Sequence, residues 1–198
     1  MQIEYEATYT NIDKDGIRQK LKNAGATLVR PEFLQKRVVF NLPESLPLKG
    51  GWLRVRDEGN RITMTLKLIE GKGIESQKEV LLEVSSFENA EELLVLLGAH
   101  KTAYQENKRE LWKFNGVEVT IDEWPFLEPF VEIEGDSEDA VKNASEKLGF
   151  DYKDAIFGSV TTLYSKKYAV AEKAINNEIP KIVFKMENPF MSVHKYHK

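Results

Sequence analysis

The sequence predicts an α+β fold: an antiparallel β-barrel with a charged lumen and helices packed outside it. Three observations point there. Apolar and polar residues alternate strictly through most of the chain, the mark of half-buried strand. Three helical segments punctuate the strands, and each stops at a glycine. The charged residues of the strands share one face, opposite the apolar ones.

The elements follow in order. Residues 2–10 set Ile3, Tyr5, Ala7 and Tyr9 against Glu4, Glu6 and Thr8. Residues 13–24 place Ile17, Leu21 and Ala24 at helical spacing before Gly25. Residues 34–41, with Val38-Val39-Phe40, read as strand. Pro43, Pro47, Gly50 and Gly51 mark a long connection. Residues 52–56 set Leu53 and Val55 against Arg54 and Arg56. Residues 62–68 set Ile62, Met64, Leu66 and Leu68 against Thr63, Thr65 and Lys67. Glu70-Gly71-Lys72-Gly73 is a turn, and residues 78–84 then set Val80, Leu82 and Val84 against Glu79, Leu81 and Glu83.

The second half repeats the theme. Residues 87–97 form a leucine-rich helix before Gly98, with Ser85 and Glu88 at capping-box spacing. Residues 104–114 and 117–122 are strands, and Trp124 to Pro129 is an aromatic-rich loop. Residues 130–134 set Val131 and Ile133 against Glu132 and Glu134. A helix over 138–148 ends before Gly149. Glycine is the residue that accepts the left-handed position after a helix. Past Tyr168 come a helical stretch, Asn176-Asn177, Pro180 and a short apolar run, Ile182-Val183-Phe184. Residues 1–168 are therefore expected to form the barrel domain and 169–198 a C-terminal appendage. The appendage is expected to cover one mouth or to contact a second copy in a homodimer.

Composition excludes several functions. The chain has 198 residues, no cysteine and a formal net charge of −4. Cysteine nucleophiles, disulfide scaffolds and thiolate metal sites are out. The acidic balance argues against a nucleic-acid partner. The longest apolar runs, about five residues, are far below the roughly 20 a membrane helix needs. Met1-Gln2-Ile3-Glu4 is not a basic leader region, so cytoplasm is the expected location. Phosphate-binding P-loop, hydrolase-elbow and dinucleotide-fold glycine patterns are missing. Histidines are sparse; His194 and His197 read as a solvated tail rather than a metal pair.

Side chains two apart on a strand share a face about 6.5–7 Å apart. Glu4 and Glu6 can converge on one cation, as can Glu132 and Glu134, while Arg54 and Arg56 can grip one polyanion. In the plain alternative these faces simply meet water. The helices argue otherwise, because each apolar stripe needs the sheet's apolar face to cover it. With helices outside, the charges point inward, where they must be paired. A divalent metal with polyphosphate supplies that pairing, and carboxylates suit Mg²⁺ or Mn²⁺.

These residues resemble the CYTH superfamily, the triphosphate tunnel metalloenzymes named for class IV adenylate cyclases and thiamine triphosphatases. Glu4-Tyr5-Glu6-Ala7-Thr8 matches the two glutamates of the family's E-x-E-x-K strand, with Thr8 in place of the lysine. Leu53-Arg54-Val55-Arg56, Thr65-Leu66-Lys67 and Lys108-Arg109 match its basic strands. Ile121-Asp122-Glu123 and Phe130-Val131-Glu132-Ile133-Glu134 match its closing strands. The resemblance covers residues 1 to about 168. It implies Glu4, Glu6, Asp122, Glu132 and Glu134 as ligands of Mg²⁺ or Mn²⁺. It implies Arg54, Arg56, Lys67 and Arg109 as phosphate clamps, which with Glu4 and Glu6 form the catalytic set. Glu79 matches a luminal acid on the substrate path, Leu81 stands where a second acid is common, and Lys36 or Arg37 adds a cation. The implied function is a metal-dependent phosphohydrolase acting on inorganic triphosphate or an organic or nucleoside triphosphate. Two alternatives are a class IV-type adenylate cyclase making cyclic AMP and a non-catalytic nucleotide- or polyphosphate-binding module.

Overall fold

The computed structural model describes every residue except 49, 72 and 194–198, so the His194 and His197 reading lies outside the described residues. The alternating segments become strands β1 (Gln2–Tyr9), β2 (Thr27–Asn41), β3 (Gly51–Asp57), β4 (Ile62–Ile69) and β5 (Gln77–Val84). They continue as β6 (His100–Phe114), β7 (Val117–Glu123) and β8 (Phe130–Gly135). The ring runs β2-β3-β4-β5-β1-β8-β7-β6 and closes where β6 returns to β2. Every pairing in the ring is antiparallel.

Helices α1 (Lys14–Asn23), α2 (Phe87–Leu96) and α3 (Glu138–Lys147) lie outside the ring, as the stripes require. α1 and α3 cover β1, β7 and β8, burying Ile17, Leu21, Val141 and Leu148 against Ala7, Val119, Val131 and Ile133. α2 seals β3 and β4 with Ala90 and Leu94 on Val38, Phe40 and Val55. The three stop glycines, Gly25, Gly98 and Gly149, sit at φ of +81°, +89° and +79°. The cap of α2 is Ser86, whose hydroxyl accepts from the Asn89 backbone N–H at 3.1 Å; it lies one residue past the expected Ser85.

Two strands begin earlier than the alternation suggests. β2 starts at Thr27 and carries Pro31, with register shifts between Leu28 and Arg30 and between Arg30 and Phe33. A bulged strand tolerates proline because a missing N–H is harmless where the ladder is already broken.

The chain after α3 supplies α4 (Val160–Tyr168), α5 (Glu172–Glu178), the two-residue β9 (Lys181–Ile182) and α6 (Phe190–Val193). A cluster of Trp124, Phe130, Leu163, Tyr164, Ile175, Ile179, Ile182 and Phe190 joins residues on both sides of position 168. Phe190 stacks on Tyr164 and Tyr168, with ring centroids 4.4 and 4.8 Å apart. β9 pairs parallel with Tyr104 and Gln105 of β6.

Candidate active site

The ring encloses a cavity of about 570 Å³. Strand alternation decides what lines it, and register decides what faces what. Across β2 and β3, Arg37 lies opposite Arg56 and Val39 opposite Arg54. Lys67 on β4 lies opposite Glu79 on β5, and Arg109 on β6 lies opposite Asp122 on β7. Glu6 on β1 lies opposite Glu134 on β8, and Thr8 opposite Glu132. Cations thus concentrate on β2, β3, β4 and β6, and carboxylates on β1 and β8.

Glu4, Glu6, Arg37, Arg54, Arg56, Lys67, Glu79, Arg109, Glu132 and Glu134 all line the cavity. Leu81 lines it too, as its face predicts, whereas Lys36 is exposed outside. Asp122 is placed differently. It is fully buried and off the cavity wall. Its Oδ1 accepts from Asn107 Nδ2 and Arg109 Nε, both at 2.9 Å. Its Oδ2 accepts from Arg109 at 2.7 Å and Thr120 at 2.8 Å. Both oxygens are therefore engaged in holding Arg109.

The basic wall carries charge in excess of its partners. Burial, then the neighbouring Arg54, Arg56 and Arg109, holds the Arg37 guanidinium well below its ordinary range. Among the described residues Arg37 donates only to the neutral oxygens of Gln35, at 3.0 Å, and Asn107, and its Cζ sits 4.6 Å from the Trp124 ring centroid. Burial, with Arg54 next, lowers Arg56 to about 9 even though Glu58 lies 2.6 Å away. Arg54 is lowered by burial despite Glu79 and Glu4, and it has no ion-pair partner among the described residues. The Nε atoms of Arg37, Arg54 and Arg56 are buried without a hydrogen bond. Guanidinium groups crowded in this way attract a polyanion, which would relieve their mutual repulsion.

The acidic wall shows the opposite strain. Burial and then Glu132 push Glu6 well above the carboxylate range. Burial and then Glu4 raise Glu134 to about 7, and burial raises Glu132 and Glu79. Glu4 is the exception: burial pushes it up, but Lys67, Glu79 and Arg54 together hold it below its ordinary value. Glu6 accepts only a 3.4 Å hydrogen bond from Gln77, and Glu134 has no ion-pair partner among the described residues.

Among the described residues, no three candidate ligands are gathered into a preformed metal cage. The donor chemistry still fits a hard cation. Mg²⁺ usually takes only one or two carboxylates and completes its shell with water and substrate phosphate. Glu6 and Glu134, opposed in register and short of partners, meet that requirement.

Sequence reasoning passed over several lining residues. Gln35 shares the luminal parity of Arg37, so alternation alone could have found it; Glu118, which alternation sets on the polar face with Thr120 and Asp122, was not offered as a site residue. Glu58 and Arg61 flank a hairpin and bond at 2.9 Å near Arg56. Glu172 and Asn176 of α5 also line the cavity, and no local pattern announces them.

Comparison with known proteins fits this geometry. The CYTH domain family profile matches residues 2–161. No curated protein matches the sequence. A conserved hypothetical protein from Pyrococcus furiosus is 26% identical, with a TM-score of 0.64 over 77% of this chain and 94% of its own. A candidate adenylate cyclase from Vibrio parahaemolyticus aligns with a TM-score of 0.69 at 16% identity, over 83% of this chain and 98% of its own. A candidate adenylyl cyclase from Hippeastrum with dominant triphosphatase activity aligns at 0.54 and 12% identity, over 86% of this chain and 97% of its own.

Proposed function

The chain belongs to the CYTH domain family, and from that membership we propose that it binds a triphosphate in its tunnel and hydrolyses it with Mg²⁺ or Mn²⁺. One observation carries the reading. Arg37, Arg54 and Arg56 line one enclosed lumen with Arg109 and Lys67, and the first three hold charge that no neighbour fully balances. Inorganic triphosphate and organic triphosphates both present the matching negative charge.

Phosphoryl transfer asks little covalent chemistry of a protein; positioning and neutralisation of oxygen charge do most of it. Arginine forks hold phosphate oxygens and stay charged where water is scarce. Glu6 and Glu134, with Glu4 and Glu132 beside them, would hold the cation. When bound, it would supply charge neutralisation and a more acidic water. Asp122 fixes the Arg109 fork, and Lys67 holds Glu4 in its ionised form.

The test is phosphate release from inorganic triphosphate, ATP and thiamine triphosphate, with Mg²⁺ or Mn²⁺, in wild type, Glu4→Gln and Glu132→Gln. Metal-dependent release lost in both variants supports hydrolysis. Cyclic AMP in the ATP reactions would assign a cyclase instead. A second reading, a tunnel that binds a triphosphate without turning it over, is favoured by Thr8. It is buried, off the cavity wall, and brings no charge where the family pattern has lysine. Tight binding with no product would establish it.

A further inference from the structure

The family match ends at residue 161, yet the cavity does not. Glu172 and Asn176 of α5 stand on its rim, eleven and fifteen positions beyond the match. α5 is held there by named contacts. Asn41 at the end of β2 donates to Asn177 Oδ1 at 3.0 Å. Thr161 of α4 donates to Asn176 Oδ1 at 3.0 Å, and Thr162 donates to Glu172 at 2.8 Å. Asn176 is solvent-exposed on this rim, with its Oδ1 held by Thr161, so its amide nitrogen is open to a ligand.

Apart from the Glu172 carboxylate, which Thr162 engages, the chemistry of this mouth differs from that of the interior. Asn41, Thr102, Gln105, Thr161 and Asn176 are neutral hydrogen-bonding groups, and Val160 and Trp124 add apolar surface beside them. Neutral amides and hydroxyls do not gather a polyphosphate; arginines do that deeper in the lumen. They suit an uncharged organic group with its own donors and acceptors and an apolar face. The ligand that satisfies both zones has a polyanionic head and a neutral heterocyclic or sugar tail.

We infer that Asn176, carried by α5 beyond the stretch the family profile matches, is a specificity residue that reads the organic tail of a nucleoside-type triphosphate. The inference rests on the triphosphate reading above and narrows it from triphosphates in general to organic ones. Asn176 acts on ligand choice, and the phosphate clamp remains the work of the arginines.

The experiment is isothermal titration of wild type, Asn176→Leu and Asn176→Ala in chelator, so that no probe is turned over. The probes are inorganic tripolyphosphate, ATP, GTP, CTP, UTP and thiamine triphosphate. Leucine keeps the branched shape of asparagine and removes both hydrogen-bonding groups; alanine empties the position, so the pair guards against a misfolded variant. The expected result is an organic triphosphate that wild type binds more tightly than tripolyphosphate. Its advantage over tripolyphosphate should fall about tenfold in both variants, the size of one lost ligand hydrogen bond. An unchanged ratio, or equal losses for every probe, overturns the inference while leaving the triphosphate reading intact. Wild type that binds neither tripolyphosphate nor any organic triphosphate overturns that reading, and the inference with it.

Discussion

Lys67 on β4 reaches past β5 to Glu4 on β1: its Nζ lies 2.6 Å from Glu4 Oε2 and 3.8 Å from a Glu79 oxygen. Lys67 thus ties the basic wall to the acidic one, as Arg109 on β6 does through its ion pair with Glu132 on β8. Lys67→Met should lower triphosphate turnover by about 10²–10³, the usual loss when one preorganised charge is removed from a reaction site. The pair also makes a linkage prediction. Glu4 is held below its ordinary value, so its contribution to stability is present above about pH 4.5 and is lost as pH falls through the folded value. The stability gap between wild type and Lys67→Met should therefore shrink in melts run progressively below pH 4.5.

Arg37 presses in the other direction. It is buried, faces Arg54, Arg56 and Arg109, and has only neutral acceptors among the described residues. Arg37→Met should raise the melting temperature of the ligand-free protein and weaken tripolyphosphate binding about tenfold or more. Lys22→Ala, on the exposed side of α1, serves as the control in the same titration. Equal binding by the two variants would remove Arg37 from the site.

Asp122 offers a test of support rather than of contact. It meets Arg109, Asn107 and Thr120 in a fully buried position. Asp122→Ala should destabilise the protein by about 3–5 kcal/mol, because Asn107, Thr120 and the Arg109 fork all lose a fully buried acceptor while Arg109 keeps only Glu132. Urea unfolding measures it, and a loss below about 1 kcal/mol would show that Glu132 alone holds Arg109.

Glu134 yields a pH signature. Its carboxyl is raised to about 7 by burial and the nearby Glu4. The folded protein then binds a proton that the unfolded chain has lost, so this group's contribution falls as pH rises from about 4.5 through 7. Glu134→Gln has no such charge. In chelator, the variant should gain on wild type in melting temperature between pH 5 and pH 8. Saturating Mg²⁺ at pH 8 should return wild type to or above the variant. A difference that is flat across this range would show that Glu134 is ionised without penalty.

Much of this architecture was legible because alternation is a local signal. Wherever a strand buries one face, parity alone assigns the luminal set, and it placed Glu4, Arg54, Lys67 and Glu132 correctly in the cavity. Parity says nothing of depth. Asp122 shares the face of Thr120 yet lies beneath Arg109, because a short side chain opposite a long one is covered by it. The first half of β2 was missed because Pro31 and two register shifts break the period and leave Leu28 and Val29 exposed. α5 was readable as a helical stretch, but its position at the cavity mouth depends on tertiary contacts that no short window contains. Ser85 and Ser86 are adjacent, and only the backbone at the turn decides which one caps α2.

The pairing of β9 with β6 bears on solubility. β6 runs from His100, whereas β7 accompanies it only from Lys108, so one side of the earlier half lacks a β7 partner. Lys181 and Ile182 pair beside Tyr104 and Gln105, and the Pro180 carbonyl accepts from the Tyr104 N–H at 2.9 Å. An uncovered strand edge is a template for intermolecular pairing, and a proline next to a two-residue strand is a poor one. A chain shortened before Pro180 would thus present an adhesive border to its neighbours. Its failure would first be seen as turbidity that grows with protein concentration.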